Sequence, residues 1–267
     1  MSIKNKRYGK VEYLKADGIK AAHCFTTRLG GVSTGHLSSL NLGTARGDDK
    51  ANVVENYRII GSAVGFAPAD VVMACQTHSD IVLQVDRGNR GAGLLADPLP
   101  ECDALITDQP GVALFVSTAD CTPILLWDPV TGAVGAAHAG WRGTASQIGA
   151  KTVAAMVSAF GCEPRNIRAA IGPNIGFCHF ETDADVPEAM LSAFGEEITP
   201  YIRAEGQKFY LDLKAINALS LRRAGVAQVD ISADCTVCQC HRFWSHRVTR
   251  GQRGAQGAII LCKEADK

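Results

Sequence analysis

Residues 112–144, VALFVSTADCTPILLWDPVTGAVGAAHAGWRGT, decide how the rest of the chain is read. Two apolar runs, 112–117 and 124–127, flank the polar step TADCT and read as strands. Asp128-Pro129-Val130-Thr131-Gly132 is a turn: proline presets φ and glycine accepts a left-handed backbone. Residues 133–138 are a third strand. The period then changes. Thr144 can cap a helix, and Ile148, Thr152, Ala155, Met156 and Ala159 line one face of it until Gly161 closes it.

The same signals extend outward. Upstream, 71–75, 81–85 and 104–107 are further strands. Before them, Asp48 and Asp49 precede a helix whose face is Val53, Tyr57, Ile60 and Val64; Gly65 and Pro68 end it. Residues 23–43, rich in Gly, Ser and Thr, read as a strand, then a long loop that needs a neighbour to order it, then a short strand. Downstream, 167–171, 229–232 and 257–262 are strands. Asp212 caps a third helix carrying Leu213, Ile216, Ala218 and Leu219, ended by Gly225. Strands mixed with a few helices, without a linker or repeat, predict an α/β (α+β) class and one compact unit.

Composition narrows the function. Lys plus Arg number 27 and Asp plus Glu 27 in 267 residues, so the net charge is zero. A general nucleic-acid binder would carry a basic excess. Hydrophobic residues are 46% and charged ones 20%, which suits a buried core. No apolar run is long enough for a membrane span. The start MSIKNKRYGK lacks the apolar core of a signal peptide, so a cytoplasmic location with reduced thiols is expected.

The reactive candidates sit at strand ends. His78 lies in CQTHSD, Cys121 in TADCTP and His138 in AAHAGWRG. Their separation suits a site assembled by the fold, not a local finger. Two imidazoles and a thiolate can hold zinc and leave a fourth position open; the same donors accept copper. The residues equally allow a buried cysteine beside two locally bonded histidines. Asp120 adjoins the cysteine as a base or orienter. Arg142, between Gly140 and Gly143, can bind an anion. No Walker A or GxGxxG pattern is present, so a nucleotide cofactor is unsupported. Arg28 and Asn41, with Gly30 and Gly31, form a second polar cluster; Ser245, His246, Arg247 and Arg250 form a third. Cys235, Cys238 and Cys240 contain one CxxC without a distant partner pair, readable as metal ligands, a redox pair or reduced thiols. Cys24, Cys75, Cys162 and Cys262 read as small core residues.

Taken in order, TTRLGGVSTG, SLNLG, QTHS, TADCTPILLWDP, GAAHAGWRGT, AAIGPNIG, DCT and FWSHR resemble the "laccase domain" (YfiH) family of multicopper-polyphenol-oxidase-like proteins, which includes purine nucleoside phosphorylase homologues. The resemblance covers about residues 20–262 and implies an N-terminal extension over 1–19 and a single domain over 20–267. It implies layered mixed sheets flanked by helices. It implies that His78, Cys121 and His138 bind Zn2+, with Cu2+ as the alternative. It also implies that Arg28, Asn41, Asp120 and Arg142 line the same pocket, with Ser245 and Arg247 binding substrate. The implied activity is phosphorolysis of adenosine, inosine or methylthioadenosine. Adenosine deamination, laccase-like polyphenol oxidation and peptidoglycan precursor editing are the alternatives, with a non-enzymatic binding role as a further class. The partners expected are a purine nucleoside and phosphate, not nucleic acid or membrane, with the chain a monomer or weak homodimer. This sequence departs from the family at FWSHRV, where Val248 replaces a second arginine, at QRG, at Cys178-His179-Phe180-Glu181, and in having Cys238 and Cys240.

Overall fold

The structure is a computed structural model and describes residues 2–262. Met1 and residues 263–267, part of the expected extension and domain, lie outside the described residues. One six-stranded sheet runs β1 (Ile3–Tyr8), β2 (Val11–Ala16), β3 (Ala22–Thr26), β15 (Gln256–Leu261), β7 (Ala113–Thr118), β4 (Val71–Met73). A second runs β14 (Gln228–Ile231), β10 (Arg168–Ile171), β8 (Thr122–Trp127), β9 (Val134–Ala139), β6 (Ala104–Thr107), β5 (Val82–Gln84). A small third sheet holds β11 (Glu181–Thr182), β13 (Lys208–Leu211) and β12 (Ile202–Glu205).

The central strands of the two large sheets are buried on both faces and carry no polar alternation. Leu114, Val116, Leu125, Ala136, Leu105 and Ile260 point inward and form the core between them. Ala113, Phe115 and Ile259 point outward from the first sheet, and Ile124, Leu126, Ala137 and Ile106 outward from the second. Helices cover these outer faces. α1 (Lys50–Val64) lays Val53, Tyr57 and Ile60 on the first sheet. Tyr57 meets Phe115 edge-on at 5.2 Å, and its hydroxyl donates to the Leu42 carbonyl at 3.0 Å. Burying each such side chain stabilises by about 1.5–3 kcal/mol. α3 (Ile148–Phe160) and α5 (Leu213–Arg223) cover the second sheet. The result is one compact α+β domain of layered mixed sheets between helices.

Most elements lie where the sequence places them. The helix expected from Thr144 instead begins at Trp141 and is broken: α2 (Trp141–Ala145) stops before Gln147, whose φ of +58° interrupts the helical backbone ahead of α3. α4 (Asp185–Phe194) and the third sheet were not expected. Pro187 sits in the first turn of α4, where no intrahelical amide bond is lost. Residues 3–16 form the β1–β2 hairpin, which extends the first sheet through β2 and β3.

Register brings many strand ends together. β4 and β7 are parallel, so both end on one side of the fold. Gln256 of β15 pairs with Thr118, and Thr122 of β8 with Ala139 of β9. Connections 74–81 and 119–121 carry the chain from the first sheet to the second at this end; 232–255 brings it back and includes α6 (His246–Thr249). No helix among the described residues is long and apolar enough to cross a membrane.

Candidate metal centre and anion pocket

His78 and Cys121 lie on the two outgoing crossings, and His138 lies on β9 facing inward. One ligand atom of each falls within 4.8 Å of the other two. The Cys121 sulfur is 3.8 Å from His78 Nε2, and the two imidazoles meet edge-to-face with centroids 5.0 Å apart. Both crossings are tight: His78 has φ +62° and Asp120 φ +86°, left-handed values that non-glycine residues adopt at a cost. Gly140 completes the cradle. A Cβ there would stand 2.8 Å from His78 Cδ2 and 3.3 Å from the Cys121 sulfur.

Asp103, which no sequence signal singles out, organises this group. Its Oδ1 is 2.7 Å from His138 Nδ1. Its carboxylate also accepts from the Thr77, His78 and Ser79 amides and the Ser79 hydroxyl, at 2.7–3.2 Å. Burial would raise this carboxyl, but the His138 and Ser79 hydrogen bonds hold it at about 2. Burial likewise opposes the charged forms of Cys121 and His138. The imidazole beside the thiol nonetheless lowers its pKa, and the thiolate and Asp103 raise that of His138. A thiolate and two imidazoles, one oriented by a carboxylate, are a competent donor set for a metal ion.

This group opens into a cavity of about 450 Å³. Arg46, Arg142, Arg247 and Arg253 line it, with His246, Asp120 and the apolar Trp141, Ile175, Phe180 and Leu213. Arg247 is braced by the His179 and Glu181 carbonyls at 3.2 and 2.9 Å. Arg142 stacks at 4.2 Å on Trp141. Arg253 is half-buried, and its Nε is buried with no hydrogen-bond partner among the described residues. Burial, then the nearby Arg46, lower its pKa to about 10. Burial and Arg253 also lower that of His246. Arg46, His246 and Arg253 were not read as pocket residues; the signal for Arg253 was the altered QRG block itself.

Other expected residues take different positions. Among the described residues, Asp120 is the one carboxylate on the cavity wall, but its oxygens already accept from Thr236 Oγ1 (2.5 Å), Ser245 Oγ (3.1 Å) and the Arg247 amide (2.7 Å). Ser245 is buried and caps α6 through the Val248 amide. Arg28 does not line the cavity. It stacks 3.7 Å over Trp244 and donates to the Ser38 and Cys240 carbonyls. Asn41 does not line it either: it is buried and bonded to Gly43, Asp48 and Ala255. Both order the long early loop. Trp244 is fully buried and offers no surface to a partner.

An α+β domain with a His/Cys/His donor set beside an arginine-lined cavity defines a laccase-domain architecture. The chain belongs to the multi-copper polyphenol oxidoreductase laccase family, whose sequence model matches residues 22–263. It is 40% identical over 248 residues to a purine nucleoside phosphorylase of Deinococcus radiodurans, covering 92% of this chain and 91% of that one. It is 38% identical over 244 residues to the purine nucleoside phosphorylase YlmD of Geobacillus stearothermophilus, covering 90% and 89%. The crystal structure of YlmD from that organism superposes with a TM-score of 0.92 at 35% identity, over 97% of this chain and 99% of that one. Bacillus licheniformis YfiH superposes with a TM-score of 0.91 at 32% identity, over the same shares.

Proposed function

We propose that this chain is a zinc-dependent purine nucleoside phosphorylase, converting adenosine, inosine or methylthioadenosine and phosphate to the free base and sugar 1-phosphate. The observation that carries this reading is the convergence of four arginines on one cavity whose only carboxylate, among the described residues, is already hydrogen-bonded. Such a wall suits a small dianion. The purine nucleoside phosphorylase relatives agree with it.

In this reading phosphate sits against Arg46, Arg142 and Arg253, and the unpartnered Nε of Arg253 finds its acceptor there. The purine packs on Trp141, Phe180 and Leu213. As the base departs, positive charge grows on the ribose. Asp120, held in place by Thr236, Ser245 and Arg247, lies at the cavity wall with its charge fixed in advance. His78, Cys121 and His138 would hold zinc, which would supply a Lewis acid and lower the pKa of a bound water. Arg28 and Asn41 support the loop and do not touch substrate.

The test is product analysis with purified protein and its native metal. Phosphate-dependent release of hypoxanthine from inosine, with ribose 1-phosphate, supports the reading. Ammonia from adenosine without free base would replace it with deamination, and phenol oxidation restricted to copper-loaded protein would replace it with an oxidase.

A further inference from the structure

Across the 172–180 loop from the cavity lies a second group of metal-type donors. Cys178, His179, Cys235 and Cys238 each present one ligand atom, and all four atoms lie within 4.8 Å of one another. The CxxC of the sequence thus has a partner pair, about 60 residues upstream. The sulfurs of Cys178 and Cys238 are 3.6 Å apart. His179 Nδ1 is 3.1, 3.4 and 3.8 Å from the sulfurs of Cys178, Cys238 and Cys235. A zinc tetrahedron with bonds of about 2.3 Å to sulfur and about 2.0 Å to nitrogen has edges of about 3.8 and 3.5 Å. The observed edges match to within a few tenths of an ångström.

We propose that Cys178, His179, Cys235 and Cys238 form a closed, four-coordinate structural zinc site, separate from the His78/Cys121/His138 group. The backbone is arranged for a thiolate. The Gly176 amide donates to the Cys235 sulfur at 3.2 Å, and the Val237 and Cys238 amides of the same turn also point to it. A dication held between the three crowded sulfurs would neutralise them as thiolates. A disulfide accounts for less. All ten cysteines are free, the 3.6 Å separation is far from a bond of about 2.05 Å, and a bridge would leave Cys235 and His179 without a role.

The site would clamp the connections that follow the parallel strands β10 and β14. Its consequence reaches the pocket, because the His179 and Glu181 carbonyls brace the Arg247 guanidinium.

Zinc is counted by mass spectrometry in protein purified without added metal, and in Cys121→Ala and Cys178→Ser/Cys238→Ser variants. Cys121→Ala isolates this site from the other: about one zinc per chain is expected to remain. Cys178→Ser/Cys238→Ser should hold one fewer than the parent. Zinc-free Cys121→Ala would overturn the proposal. So would an unchanged count in the double variant, or a Cys178–Cys238 disulfide in protein prepared anaerobically. Should the double variant not fold, cobalt-loaded Cys121→Ala decides. Thiolate-to-cobalt charge transfer with intense tetrahedral d–d bands is expected, and their absence overturns the site.

Discussion

Oδ1 of Asp103 lies 2.7 Å from Nδ1 of His138, which leaves the opposite nitrogen of that ring to face Cys121. The same carboxylate accepts three backbone amides from 77–79, the loop carrying His78. One buried acid therefore orients two of the three donors.

Asp103→Asn keeps the shape of the side chain and removes its charge. Metal affinity should fall about 10- to 100-fold, the usual cost of losing an outer partner of a ligating histidine. A chelator competition titration measures it; unchanged affinity would show that the contact does not tune the site.

Gly140→Ala tests the cradle. Its methyl group would press on His78 Cδ2 at 2.8 Å and on the Cys121 sulfur at 3.3 Å. The variant should retain its circular dichroism and cooperative unfolding yet lose most bound metal at the His78/Cys121/His138 group. Full occupancy would mean that the donors shift at little cost.

The arginine wall predicts a separable kinetic effect. Arg253→Met or Arg46→Met should raise the KM for phosphate about 10- to 100-fold, the equivalent of a charge-assisted hydrogen bond of about 1.5–3 kcal/mol. The KM for nucleoside should change much less. Equal increases for both substrates would argue against phosphate at this wall.

His23 governs acid stability. Its Nε2 accepts from the Ala16 amide at 2.9 Å and its Nδ1 donates to the Ala21 carbonyl at 2.8 Å, so the ring is buried in its neutral form. Burial lowers its pKa from 6.5 to about 4. The unfolded chain therefore takes up the proton first as pH falls. Stability from this residue is complete above about pH 6.5 and is lost progressively down to about pH 4, by about 3 kcal/mol in all. Urea unfolding of the parent and His23→Gln across that range checks it: the parent should show the steeper decline.

Much of this architecture was readable because β7, β8 and β9 are apolar runs punctuated by Pro, Asp and Gly, and because His78, Cys121 and His138 stand where those runs stop. The β1–β2 hairpin was not, since IKNKRY is an exposed edge strand with no buried stripe. The family resemblance implies pocket roles for Arg28 and Asn41, but both spend their hydrogen bonds ordering the early loop. Arg46 and Arg253 stand alone in loops far apart in sequence, and only the closing of β15 onto β7 and β3 brings them together. Asp103 was hidden in a different way: a buried acid ahead of an apolar strand has no periodicity to announce it.

The position of His78 and Cys121 on separate crossings between the two large sheets has a mechanical consequence. An ion held there would act as a rivet through both layers at one end of the sandwich. Its removal should loosen that end first, and hydrogen exchange should rise in 74–81 and 119–121 well before it rises in the middle of β7 or β8.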